Sequence, residues 1–123
     1  MKWLLIAIGG ALGSTARYGV GLTVQQWFGD RWPVGTFVVN LSGCFFIGFF
    51  LTLASERITL NPGWHYLVPV GFVGAYTTFS TFEYETFRLL QLGAGLRALS
   101  YVLASVIAGF FAVWLAALAV RRF

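Results

Sequence analysis

The densest group of residues able to do chemistry is a run of hydroxyl and aromatic side chains at positions 71–82. These twelve positions hold two glycines and four serine or threonine residues, and the polar or aromatic side chains at 76–80 do not follow a helical spacing. A broken membrane helix has a use for such residues, because freed backbone groups and hydroxyls can line a buried ion site. The alternative is a continuous helix whose hydroxyls bond back to their own backbone. The pattern favours the break.

Asn40 is a polar residue inside an apolar stretch, and it shares one helical face with Thr36 and Gly43. That face combines hydrogen-bonding groups with a glycine that permits close helix approach. We therefore predict that Asn40 lines a pore or a binding site. The alternative is a single hydrogen bond to a neighbouring helix.

Phe79 and Phe82 follow the predicted break and lie three residues apart, on one face of a helix. Two phenylalanines on a helix usually pack against other apolar groups. Their ring edges carry partial positive charge, however, and can contact an anion. Both interpretations stay open at the level of the sequence.

Few charged groups interrupt the apolar stretches. Arg17 follows a run of small residues that includes Gly9 and Gly13, which are spaced for close helix packing. Arg17 either extends to the membrane interface, or it fixes a helix contact and the field of a vestibule, which would favour anions.

A second polar group lies further along the chain. Glu83 and Glu85 precede Arg88, which indicates an interfacial ion pair or, alternatively, a carboxylate that carries protons. Tyr101 and Ser105 lie four residues apart, on one face of the last apolar stretch.

The composition indicates which kind of secondary structure carries these polar groups. The chain of 123 residues is 59% hydrophobic and only 10% charged, and its mean hydropathy is +0.80. A soluble domain has about 25% charged residues. We predict an all-α integral membrane protein, a single domain over 1–123 with four transmembrane helices at about 3–22, 34–55, 66–92 and 96–120, each near the roughly 20 residues that a bilayer requires.

The basic residues are divided equally between the two sides that four spans define. One side has Lys2, Arg57, Arg121 and Arg122, and the other has Arg17, Arg31, Arg88 and Arg97. The positive-inside rule therefore gives no preferred orientation. Either a weak bias still inserts the chain one way, or the chain inserts both ways and pairs as an antiparallel homodimer.

Several classes of function are excluded or disfavoured. The basic residues are scattered, which argues against a nucleic-acid partner. No phosphate-binding loop, zinc-protease or hydrolase motif occurs, so an enzyme is not expected. Cys44 is the only cysteine, which rules out an internal disulfide. The apolar N-terminal run has no clear cleavage site and is interpreted as a first membrane helix instead of a signal peptide.

In these residues the chain resembles the Fluc (CrcB) family of small bacterial and archaeal fluoride channels. The resemblance covers most of the chain and depends on its length, its four-span plan and three motifs, which are Gly9-Gly10-x-x-Gly13-x-x-x-Arg17-Tyr18, Gly35-Thr36-x-x-x-Asn40-x-x-Gly43 and Gly71-Phe72-x-Gly74-x-x-Thr77-Thr78-Phe79-Ser80-Thr81-Phe82.

The resemblance implies an antiparallel, dual-topology homodimer with two fluoride pathways in the bacterial inner membrane. It implies a central structural sodium ion at the dimer interface, held by the backbone carbonyls of Gly74 and Thr77. Asn40 would line the pathway, and Phe79 and Phe82 would contact the ion. A polar track would consist of Ser80, Thr81, Glu85, Tyr101 and Ser105, shortened at position 109, which is glycine here.

The implied function is passive export of fluoride, which lowers its toxicity inside the cell. Two other functions remain alternatives. Dual-topology multidrug exporters also have four short spans, but they carry a membrane-embedded glutamate in the first helix, where this chain has only Arg17. A non-conducting assembly subunit would not explain the predicted break.

Overall fold

The hydrophobic stretches of the sequence form helices joined by short connections. The computed structural model describes residues 1–122, and no strand occurs among them. The elements in chain order are α1 (Lys2–Phe28), α2 (Val34–Glu56), α3 (Pro62–His65), a π-helical segment (Tyr66–Val73), α4 (Gly74–Tyr76), α5 (Ser80–Gln91) and α6 (Gly95–Arg122). The all-α prediction is confirmed.

Two of the helices in residues 1–122, α2 and α6, are long and apolar enough to cross a membrane. At about 1.5 Å per residue they span roughly 35 and 42 Å, against a hydrocarbon thickness of about 30 Å. α1 is equally long, but its Gly, Ser, Thr, Gln and Arg residues lower its hydropathy. The third predicted span is divided into short helical pieces. The number of four spans therefore stays a prediction.

The connection between α1 and α2 begins later in the chain than predicted. The predicted span ends at residue 22 and places Gln25 in the connection, whereas the helix continues to Phe28. Residues 23–28 contain no helix breaker, and the helix stops only at Gly29, whose φ of 80° is readily adopted by glycine. Gln25 is thus a helical residue whose side chain faces the connection between α1 and α2.

The predicted close contact of α1 is confirmed. Gly9 and Gly13 are buried against the π-helical segment, and a methyl group on either would overlap the backbone carbonyl of Leu67 or Phe72. Small residues at such positions let two helix backbones approach closely. This contact fixes the segment that leads into residues 74–82.

The helical path in the third part of the chain is interrupted. α4 ends at Tyr76 and α5 begins at Ser80, and Thr77 between them has an extended backbone with φ −81° and ψ 156°. α5 then packs against α6 through a cluster of buried residues that includes Phe82, Leu89, Ala98 and Tyr101. The interruption therefore lies where α1, α2 and the start of α5 meet.

Candidate functional site

The backbone of the interruption is paired with one side chain from α2. The Asn40 side-chain oxygen accepts a hydrogen bond from the Thr78 amide at 2.8 Å, and the Asn40 side-chain nitrogen donates to the Thr78 carbonyl at 3.0 Å. An amide side chain has both the donor and the acceptor that a peptide unit requires. Asn40 thus takes the place of the missing helical partners of Thr78.

This pairing frees two backbone carbonyls. In a continuous helix the Thr78 amide would donate to the carbonyl of Gly74, and the Thr81 amide would donate to that of Thr77. Here the Thr78 amide donates to Asn40, and the Thr81 amide donates to the Thr78 hydroxyl at 3.3 Å. The carbonyl oxygens of Gly74 and Thr77 consequently lose their ordinary helical donors.

Gly43 allows α2 to come this close. It is buried one turn after Asn40, and a methyl group in its place would overlap the Thr77 side chain. Thr36, Asn40 and Gly43 all contact the segment 77–85, so the prediction that they share one helical face is confirmed, and their role in a pore stays a prediction. Asn40 makes two such interhelical bonds where the alternative expected one, so a structural role for Asn40 is shown and a pore-lining role is not yet decided.

One cavity, of about 330 Å³, opens on one side of the interruption. Phe79 and Phe82 lie in its wall with ring centroids 6.0 Å apart, Phe82 buried and Phe79 73% exposed. The Ser105 hydroxyl is buried and has no hydrogen-bond partner within residues 1–122. The full lining is Asn40, Gly43, Cys44, Ile47, Val73, Thr77, Thr78, Phe79, Phe82, Ser105 and Val106.

Cys44 lies beside Gly109 in this region. A methyl group at Gly109 would be 3.3 Å from the Cys44 sulfur, so the thiol fills the space that a side chain at position 109 would need. The polar track expected from the sequence therefore meets a thiol and a glycine beyond Ser105.

A second cavity, of about 310 Å³, opens on the other side and shares Thr78 with the first. Arg17, Thr36, Thr81 and Glu85 line it. The Arg17 side chain donates from Nε to the Ala75 carbonyl at 3.1 Å, so it forms the predicted helix contact next to the interruption. Its remaining guanidinium groups contribute the positive charge of this cavity.

Glu85 is bound by two neutral donors. The Thr36 hydroxyl donates to Oε2 at 2.9 Å, and the Tyr101 hydroxyl donates to Oε1 at 2.8 Å. The simpler sequence interpretation, an ion pair with Arg88, is wrong. Arg88 instead donates to Gln91, and the one salt bridge within residues 1–122 joins Arg121 to Glu56. The partners of Glu85 come from α2 and α6, which sequence proximity cannot reveal.

The predicted site residues do not all meet at one place. Asn40, Thr77, Phe79, Phe82 and Ser105 surround the first cavity, whereas Arg17, Thr81 and Glu85 line the second. Tyr101 is fully buried behind Glu85, while Ser80 is exposed and Gly74 lies on the open side of α4.

The sequence interpretation missed two residues that contact the site. Gln25 lines the second cavity, and Trp32 packs on Tyr101. No acidic, histidine or cysteine cluster for a metal occurs in the described part of the chain.

These features define a class: a small helical membrane protein with two cavities, largely apolar but with several hydrogen-bonding side chains, beside an interrupted helix. A family model described as "CrcB-like protein, Camphor Resistance (CrcB)" matches residues 4–117. The chain belongs to the CrcB family.

Several curated relatives carry the name fluoride-specific ion channel FluC. The relative from Acidobacterium capsulatum is 50% identical over 115 residues, which cover 94% of this chain and 92% of that protein. The relative from Solibacter usitatus is 50% identical over 122 residues, covering 99% and 100%. The relative from Aquifex aeolicus is 44% identical over 110 residues, covering 89% of each.

We predict that Tyr101→Phe destabilises the protein, because it leaves one Glu85 oxygen without its donor. An unpaired acceptor costs about 1–3 kcal/mol when it is fully buried, and Glu85 is half-buried, so we expect a loss near the lower end, about 1 kcal/mol. Thermal or denaturant unfolding of the purified protein measures the change. Tyr84→Phe is the matched control, since Tyr84 is 63% exposed on the same helix as Glu85. Equal stability of the two variants would show that the Tyr101 hydroxyl contributes nothing.

Proposed function

We propose that the chain forms a passive, fluoride-selective ion channel that lets fluoride leave the cytoplasm down its electrochemical gradient. The main support is the pair of cavities beside residues 77–79, whose largely apolar walls carry several neutral hydrogen-bond donors, in a chain half identical to proteins named fluoride-specific ion channels. The proposal makes it a transport protein and not an enzyme.

The donors fit a small, strongly hydrated anion. A pathway for such an ion must replace its water with hydrogen-bond donors, yet hold it weakly enough to let it leave. Ser105 has a free buried hydroxyl, and Asn40 uses only one of its two amide hydrogens on Thr78. The ring edges of Phe79 and Phe82 add partial positive charge without a full cation. The fluoride track thus consists of Asn40, Phe79, Phe82, Ser80, Thr81, Glu85, Tyr101 and Ser105.

Arg17 supplies attraction at the entrance. Its charge lies in the second cavity together with Thr36, Thr78 and Thr81. A fixed positive charge raises the local concentration of anions without binding them at the narrowest point. The force for export is the membrane potential, worth about 2.3 kcal/mol per unit charge per 100 mV.

The functional unit is an antiparallel, dual-topology homodimer of four-span subunits in the bacterial inner membrane. The equal division of basic residues supports insertion in both orientations. Phe79 is 73% exposed in the single chain although it borders the first cavity, so a second copy is needed to enclose it. Enclosure matters because an ion path in lipid must be shielded on every side.

A structural sodium ion binds at the centre of the dimer, on the carbonyl oxygens of Gly74 and Thr77. These carbonyls fit the ion because their usual donors, the amides of Thr78 and Thr81, are bonded elsewhere. Carbonyls of an unwound membrane helix are suitable ligands for sodium. Gly74 is also exposed in the single chain, which leaves its side of α4 open to a second copy.

The direct test is fluoride efflux from liposomes that contain the purified protein. We expect fast fluoride release, dependent on valinomycin for charge balance, and negligible chloride release from matched vesicles. A fluoride electrode records the first and a chloride electrode the second. Absence of fluoride release from folded dimers would reject the channel and favour an assembly subunit, whereas proton-coupled drug uptake would favour an exporter.

Asn40→Asp is expected to reduce fluoride flux by roughly tenfold or more while the dimer still forms. The aspartate has no hydrogen to donate to the Thr78 carbonyl, and an unpaired buried polar group costs about 1–3 kcal/mol. Its negative charge would also repel the anion. Asn61→Asp is the control, because Asn61 acts only as an acceptor for the Gly63 amide and aspartate can replace it. Parent-like flux in the Asn40 variant would remove Asn40 from the pathway.

Removal of sodium should destabilise the folded protein. We expect a lower thermal unfolding temperature for protein prepared in N-methylglucamine than in sodium at equal ionic strength. A ligand at a hundredfold excess over its Kd adds about 2.7 kcal/mol. Asn40→Ala should reduce the sodium effect, because the Thr78 amide can then return to the Gly74 carbonyl. Identical unfolding temperatures of the parent protein in the two buffers would exclude a structural sodium site.

A further inference from the structure

One side chain, that of Gln25, makes hydrogen bonds to both ends of the connection between α1 and α2. Gln25 accepts a hydrogen bond from the Gly35 amide at 2.9 Å and donates to the Trp32 carbonyl at 3.1 Å. It also donates to the Gly29 carbonyl. A single side chain therefore spans both ends of the loop and fixes where Trp32 lies.

The Trp32 ring packs against Tyr101, whose hydroxyl donates to Glu85. Its ring centroid is 5.2 Å from that of Tyr101, with an interplanar angle of 78°, and 5.0 Å from that of Phe37, with an angle of 64°. These are edge-to-face contacts, the preferred geometry of aromatic pairs. The indole nitrogen donates to the Ser100 hydroxyl at 3.2 Å, which orients the ring on α6.

Tyr101 is consequently held between two rings. Phe82 contacts it edge-to-face at 5.0 Å, in addition to Trp32, and Tyr101 is fully buried. Its hydroxyl is directed to Glu85 at 2.8 Å. Glu85 also lines a third cavity, of about 260 Å³, together with Gln25, Asp30 and Arg88 from the side of the connection. The Glu85 carboxylate therefore lies between the proposed path and this outer cavity.

We propose that Trp32 is a positioning residue that holds the Tyr101 ring in place and thereby keeps the Tyr101 hydroxyl on Glu85. The inference rests on the proposed function in so far as Glu85 and Tyr101 belong to the fluoride path. Without the Trp32 contact the Tyr101 ring is free to turn away from Glu85, which leaves the carboxylate more open to reagents in the cavities that it lines.

A tryptophan suits this position for physical reasons. It has a large rigid apolar surface and one N–H group that needs a partner, here Ser100. Trp27 offers a contrast in the same region, because it is 74% exposed at the end of α1. Trp27 therefore provides a matched control for the loss of an indole ring.

The experiment measures the accessibility of Glu85 directly. The purified parent, Trp32→Ala, Trp32→Leu and Trp27→Ala proteins are treated with a water-soluble carbodiimide and glycine ethyl ester, and labelled carboxylates are quantified by peptide mass spectrometry. Glu56 is the internal reference, since it lies at the far end of α2 in a partly exposed ion pair. We expect Glu85 in Trp32→Ala to be labelled about three- to tenfold faster than in the parent, because the loss of one aromatic contact raises by about that factor the population in which the Tyr101 hydroxyl has left Glu85.

Trp32→Leu should raise Glu85 labelling as well, because leucine lacks both the ring and the N–H group. If Trp32→Ala does not fold, Trp32→Leu is the variant that tests the proposal. Parent-like labelling of Glu85 in the Trp32 variants, or an equal rise in Trp27→Ala, would overturn the proposal. Fluoride efflux is measured on the same preparations and should fall in the Trp32 variants only. Absence of efflux from the parent would reject the channel, whereas the labelling still shows whether Trp32 keeps Tyr101 on Glu85.

Discussion

The paired hydrogen bonds between Asn40 and Thr78 are the interaction on which the rest of the site depends. A backbone interruption at membrane depth is tolerated only where protein groups replace the lost helical bonds. Asn40 provides a donor and an acceptor to one peptide unit, so the chain can leave the helix at Tyr76 and resume it at Ser80. Without this side chain the Thr78 amide and carbonyl would lose the partners that the interruption gives them.

The same contact sets the position of the groups on either side. Gly43 brings α2 against Thr77, and Thr36 is placed one turn before Asn40, where it reaches Glu85. One helical face of α2 therefore organises both cavities. Because the Asn40–Thr78 pair lies between them, a change at Asn40 alters the fluoride donors and the backbone carbonyls together.

Part of this arrangement could be predicted from the sequence because it is local. The face of Asn40, the close contact at Gly9 and Gly13, and the all-helical class follow from spacing and composition. The start of the connection between α1 and α2 was placed too early because polarity was taken as a boundary, although only Gly29 has the backbone conformation that stops the helix.

Other features had no local signal at all. The Glu85 partners Thr36 and Tyr101 are 49 and 16 residues away in sequence. Arg88, only three positions away, was favoured because helical spacing makes it a neighbour. The role of Gln25 and Trp32 depends on the path of a loop, which composition does not encode.

In the proposed site, the charged group that attracts an anion is separate from the neutral groups that would bind it. The one cation in the second cavity, Arg17, is engaged with the Ala75 carbonyl, and the groups around Phe79, Phe82 and Ser105 are neutral. In the proposed channel, the charge of Arg17 attracts an anion toward the interruption, and the neutral groups there bind it through their dipoles. Glu85 is the acidic group of the second cavity, and the Thr36 and Tyr101 hydroxyls that donate to its two oxygens stabilise the carboxylate there without removing its charge. A negative group held in this way keeps two hydroxyl donors oriented beside the path, and an anion competing for those donors is bound only briefly, as conduction requires.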